Sequence, residues 1–167
     1  TTAAPEPVVA ADGWTRATDA APWGGRAGLR VVAMDGAAGP VLFVIAGRTP
    51  IQSAIPGASD LWGDVWRSDD VGVSWQRVLE GGSAFAPRAY FQAVVHHGSM
   101  YVIGGQDFNF PQSNFFNDVW RSSDGVTWEQ TTAAAPWAGR AGLMAASLGD
   151  YLYVFGGSRN DDSAVIG

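Results

Sequence analysis

The stretch FAPRAYFQAVVHHGSMYVIGGQDFNFPQSNFFNDVWRSSDGVTW, residues 85–128, carries landmarks that recur on both sides of it. Upstream, a copy runs from Trp14 through APWGGRAGL to VLFVIAG and GDVWRS, and closes at VGVSW. Downstream, a copy starts at Trp128 and continues through APWAGRAGL to YLYVFGG. The anchoring tryptophans are Trp14, Trp75 and Trp128, spaced by 61 and 53 residues. From each Trp to the recurring Arg after the Ala-Pro step (Arg26, Arg88, Arg140) is 12, 13 and 12 residues. From Arg88 to Gly105 and from Arg140 to Gly157 is 17, while from Arg26 to Gly47 is 21, so the first unit holds an insertion. A repeat at this period means an array of similar supersecondary units.

Each unit reads as four short strands. In the second they are expected at about residues 89–96, 99–103, 117–122 and 127–132. Aromatic and β-branched residues fill these runs, and Gly, Pro, Asn, Asp and Ser punctuate them. Gly98 and Gly149 mark hairpin turns between first and second strands. No long 3.6-residue apolar period occurs, so almost no helix is expected.

The paired glycines Gly104-Gly105 and Gly156-Gly157, the tyrosines before them (Tyr101, Tyr153) and the later tryptophans (Trp120, Trp128) resemble the Kelch repeat, whose blade is about 50 residues long. The first unit departs from it with Ala46-Gly47. The likeness spans roughly residues 14–157. It implies an all-β, partial β-propeller of four-stranded antiparallel blades. In such blades the double glycine lets strands approach closely and the tryptophan packs between blades. A second likeness lies between third and fourth strands. Ser68 to Trp75 (SDDVGVSW) and Ser122 to Trp128 (SSDGVTW) resemble the Asp box, a stabilising hairpin in which Asp accepts backbone N–H bonds.

Residues 1–13 read as a flexible Ala/Pro-rich leader, and residues 14–167 as the propeller segment. That segment holds about two full blades plus partial blades at each end, with a lone fourth strand near Trp14. A ring needs about four to eight blades. The expected explanation is a longer protein; completion by other subunits and an open arc are the alternatives. The leader fits the start of a processed, secreted or lumenal chain.

The net charge of −6 argues against a nucleic-acid partner, which wants a basic face. No run reaches the length of a membrane helix. With no cysteine, thiolate metal sites and disulfides are excluded. His96 and His97 are the only histidines. On one strand they would point to opposite faces, with no third ligand for a metal. No cofactor is expected, and no catalytic or metal-binding residue is nominated.

Long loops on a rigid scaffold carry binding. Those joining second to third strands (about 48–62 and 106–116) and fourth to first strands (19–25, 80–87 and 133–139) share one face. The candidates there are Trp23, Arg26, Ile51, Ile55, Trp62, Arg88, Phe108, Asn109, Phe110, Phe115, Phe116, Trp137 and Arg140. Trp23 and Trp137 recur in the repeat and suit packing. Arg26, Arg88 and Arg140, which open each first strand, could meet an acidic partner or pair with Asp64 and Asp118. The leading expectation is a non-catalytic module that binds a protein partner or serves as an assembly subunit. A glycan-binding extracellular module is the alternative, as is part of a larger enzyme with active residues outside this chain.

Overall fold

The computed structural model describes the backbone of residues 8–9 and all of residues 13–54, 58–109 and 112–159. The repeat units fold as antiparallel meanders. β1 (Val8–Val9) pairs with β2 (Thr15–Arg16). The first full blade is β3 (Arg30–Gly36), β4 (Gly39–Pro50), β5 (Ser59–Ser68) and β6 (Gln76–Leu79), in that order. The second is β7 (Gln92–His96), β8 (Ser99–Ile103), β9 (Val119–Ser122) and β10 (Glu129–Thr132). β11 (Ala141–Leu148) and β12 (Tyr151–Ser158) form a further pair. No helix occurs among the described residues. The chain is therefore an all-β, partial propeller. The strand expected to stand alone near Trp14 has a partner in Val8–Val9, because Gly13 (φ +85°) turns the chain back.

Sequence and structure agree on β8 to the residue. β7 starts three residues later than expected; Tyr90, two residues before it, adopts a left-handed conformation (φ +52°) outside the extended region of a regular strand. The insertion in the first unit lengthens a hairpin: β3 has seven residues where β7 has five. β4 and β5 also stay paired as far as Pro50 and Ser59. The expected 48–62 loop is thus partly a two-stranded ribbon, at residues 48–50 and 59–62. His96 and His97 do not point apart. His97 sits in the two-residue turn with φ +46°, and the two rings stack 3.9 Å apart.

The innermost strands lie side by side, β3 against β7 and β7 against β11. Between the full blades lies the core: Val32, Met34, Phe43, Ile45, Val65, Phe85, Phe91, Met100 and Val102. The double glycine explains how closely the blades approach. A Cβ on Gly104 would lie 2.7 Å from Leu143 of the next unit, and one on Gly105 would lie 2.8 Å from Phe91. The Gly105 N–H donates to the Arg140 carbonyl (2.9 Å), and the Gly47 N–H donates to the Arg88 carbonyl (3.0 Å). One backbone bond thus repeats at both seams. Ala46 holds the left-handed conformation (φ +51°) that Gly104 and Gly156 hold in their units.

The hairpins between third and fourth strands are held by their aspartates. Asp70 Oδ1 accepts from the Ser74 N–H and the Ser68 hydroxyl, and Trp75 Nε1 donates to the Gly72 carbonyl. Asp124 Oδ1 accepts from the N–H groups of Val126 and Thr127 (both 2.8 Å), and Trp128 Nε1 donates to the Gly125 carbonyl. Bonds from the Ser74 side chain and backbone hold the Asp70 carboxyl below its usual range, against a desolvation that pushes upward. Desolvation also pushes Asp124 upward, but the Thr127 and Val126 N–H groups and the Ser122 hydroxyl outweigh it. Both folded values lie below the unfolded one. Their stabilisation is therefore complete above the ordinary Asp value of about 3.9 and is lost as pH falls through the folded values. We expect Asp70→Asn and Asp124→Asn to lower the urea midpoint at neutral pH. Each should also flatten its decline below about pH 4. An unchanged acid limb in the double variant would contradict this origin.

Candidate functional site

By the meander order, the second-to-third and fourth-to-first loops share one face. Beneath it the first strand of each blade is introduced by an arginine. The Arg88 side chain is fully buried and forks onto Asp118, Nη1 to Oδ1 at 2.6 Å and Nη2 to Oδ2 at 2.9 Å. Arg26 grips Asp64 with the same two distances. Each aspartate also accepts from the tryptophan two residues on, Asp64 from Trp66 and Asp118 from Trp120. Bidentate Arg–carboxylate pairs are strong and directional. Both arginines are therefore engaged inside the fold. Arg140 repeats the bonds of Arg88 to backbone, Nε to Ala138 O and Nη1 to Gly156 O, but no carboxylate pairs with it among the described residues.

The aromatic residue three positions before each arginine is also structural in the full blades. Trp23 packs on Trp66 and edge-on against Trp75, with centroids 5.6 and 4.9 Å apart. Phe85, which sequence reasoning passed over because it is not a tryptophan, packs the same way on Trp120 and Trp128. Trp137 occupies this place in the third unit and buries an indole N–H with no hydrogen-bond partner. Phe116 folds back over Arg88, whose Cζ lies 4.1 Å from its ring centre. Phe115 is half-buried, and its carbonyl occupies the space a Cβ on Gly139 would need.

The remaining candidates stay at the surface. Ile51 is exposed, and Trp62 is 37 % exposed on the β4–β5 ribbon. Trp62 donates from Nε1 to Thr49 Oγ1, and Arg26 Cζ lies 4.6 Å from its ring centre. Asn109 is exposed, but its backbone and side chain both donate to Asp107, as do those of Asn114. Asp107 thereby ties the neck of the second blade's long loop. Ile55 and Phe110 lie outside the described residues.

Phe108 reveals what the sequence did not show. Its ring lies 5.7 Å from that of Tyr90, and Arg48 Cζ sits 4.2 Å from the Phe108 centroid and 5.8 Å from that of Tyr90. Tyr90 and Phe108 both have φ +52°. Holding a bulky residue there costs roughly 1–3 kcal/mol. Among the described residues no group of three His, Cys, Asp or Glu side chains is placed to hold a metal ion.

These blades, seams and buried pairs define a Kelch-repeat propeller fold. A family model for the Kelch motif matches residues 87–121. Among solved structures the chain is similar to one titled "Structure of YjhT", at 20 % identity and a TM-score of 0.65. The match covers 87 % of this chain and 48 % of that one, so the chain spans about half that protein's length. No curated protein sequence matches.

Removing one partner from a buried ion pair leaves the other charged and unpaired, at a cost of about 3–5 kcal/mol. Arg88→Met should therefore destabilise the chain by about that much in urea unfolding, while Arg88→Met with Asp118→Leu should recover a large part of it. A double variant as unstable as the single one would show that the pair is not the source of the loss.

Proposed function

We propose that this chain is a non-catalytic Kelch-type propeller segment that engages a protein partner through its long-loop face. The observation that carries the reading is the pair Ile51 and Trp62. Trp62 is held exposed on the strand-paired ribbon, and Ile51, one residue past the end of β4, is exposed and tied across it by its N–H donating to Ala58 O. Rigid, partly exposed aromatics are the usual anchors of protein interfaces, because little side-chain entropy is lost when they are covered. Phe108 and Asn109 extend the same face, on a loop whose neck Asp107 ties. The reading as a binding module rather than an enzyme rests on this scaffold-and-loop arrangement, since propellers host many functions.

A glycan-binding reading draws on the same Trp62, whose indole could stack on a sugar ring. Arg26 already lies against that indole, which leaves less of it open.

The test is site-specific photo-crosslinking in the native cells. A benzophenone amino acid is placed at Ile51, and as a control at Asp69 on the opposite face. We expect a discrete crosslink to one polypeptide from position 51 and none from position 69. We also expect Trp62→Ala to weaken the crosslink about tenfold, as loss of an anchor does. Equal labelling from both positions, or retention by immobilised glycans with no protein crosslink, would overturn the proposal.

A further inference from the structure

Repetition provides an internal control. A residue that recurs at one place in every unit serves the fold, so departures ask for another reason. Three departures meet at one point of the long-loop face. After the second glycine of the pair come Arg48, Gln106 and Ser158 in the three units. Two residues after the introducing arginine come Gly28, Tyr90 and Gly142. Two further on come Arg30, Gln92 and Met144.

Tyr90 is the most telling of these. Gly28 and Gly142 hold the same left-handed conformation, with φ +65° and +67°. The backbone there is fixed from both sides: the Tyr90 N–H donates to Gly28 O (3.0 Å) and the Gly142 N–H donates to Tyr90 O (2.8 Å). Glycine is the residue this backbone favours. Tyrosine is strained there, and the fold does not need it, since two units do without it. Strain of this kind gathers at ligand clamps.

The side chain of Tyr90 helps to frame an arginine that has no carboxylate. Arg48 lies against the rings of Phe108 and Tyr90, its Nε closed to solvent and without a hydrogen-bond partner. Arg26 and Arg88 each hold an aspartate; Arg48 holds none among the described residues. Asp107, next to Phe108 in the chain, is engaged by Asn109 and Asn114. Arg30 donates to Gln92 and to its neighbour's carbonyl, again without a carboxylate. Burial lowers the Arg30 pKa, and the Tyr90 phenol acts in the opposite sense. A stacked guanidinium whose two Nη groups have no carboxylate partner among the described residues suits a carboxylate, which can take two parallel bonds from them.

We propose that Arg48, framed by Tyr90 and Phe108, is a carboxylate-binding site for a ligand docking on the long-loop face. A partner's Asp or Glu side chain and a free carboxylic acid present the same group. The site stands on its own geometry and uses only the face assigned above.

The experiment is a titration of the full chain with glutarate and, separately, with a capped peptide containing one Glu, read by the Nε–H resonances of ¹⁵N-arginine and by calorimetry. The expected result is a saturable shift of the Arg48 Nε–H with at least one probe. Arg48→Gln should weaken binding at least about tenfold, and Arg48→Lys should not restore it, because the fork is lost. Tyr90→Gly separates site from scaffold: it should keep or raise the melting temperature while weakening binding about tenfold. Binding of the peptide alone assigns the group to a protein partner, and binding of glutarate assigns it to a free acid. No saturable shift with either probe would overturn the site. So would equal affinity in Arg48→Gln, or a Tyr90→Gly variant that loses stability but not affinity. A failed crosslink at Ile51 leaves this titration unaffected, so the two proposals fail separately.

Discussion

An arginine buried beneath each leading loop is the constraint on which the rest depends. Its guanidinium must be paired, because an unpaired charge in that setting is too costly to keep. The partner is an aspartate on the third strand, which is also bonded to a tryptophan on the same strand. One interaction thus joins the first strand, the third strand and the aromatic layer of a blade. The same arginine offers its backbone carbonyl to the glycine N–H of the preceding unit. In Arg88 the link within a blade and the link between blades run through a single residue; Arg26 makes the first and Arg140 the second.

The candidate site uses what this frame leaves over. Once Arg26 and Arg88 are engaged below, the face above them is drawn from residues the repeat does not specify. The β4–β5 ribbon carries Ile51 and Trp62 outward, and Asp107 closes the loop that presents Phe108. Arg48 then lies at the seam, where the second strand of one unit ends beside the first strand of the next. Its surroundings come from both units, so neither blade would form the site alone.

The fold was largely legible in the sequence because its signals are local and repeated. The Gly-Gly pair, the aspartate-bearing hairpins and the tryptophan period each lie within a few residues. Where sequence reading slipped, a local rule met a left-handed residue. Tyr90 stands just before the late start of β7, and His97 turned its ring onto His96. The expected 48–62 loop was partly strand, because Thr49 and Pro50 find partners in Asp60 and Ser59 that composition does not reveal. The site was less legible. Trp62, Ile51 and Phe108 were singled out as apolar loop residues. Arg48 and Tyr90 were not, because their meeting depends on contacts between units. The signal that could have found them was the contrast at equivalent positions, Tyr90 against Gly28 and Gly142.

The seam bonds give the molecule a directional cooperativity. In a repeat array, stability divides into what each unit holds by itself and what it draws from its neighbours. The second blade has a neighbour on either side of β7. The β11–β12 hairpin packs on the described strands mainly through β7, and it turns Met144, Leu148, Tyr151 and Phe155 to solvent. Amide exchange should therefore be slower in β7, which is held at two seams, than in strands at the rim of a blade.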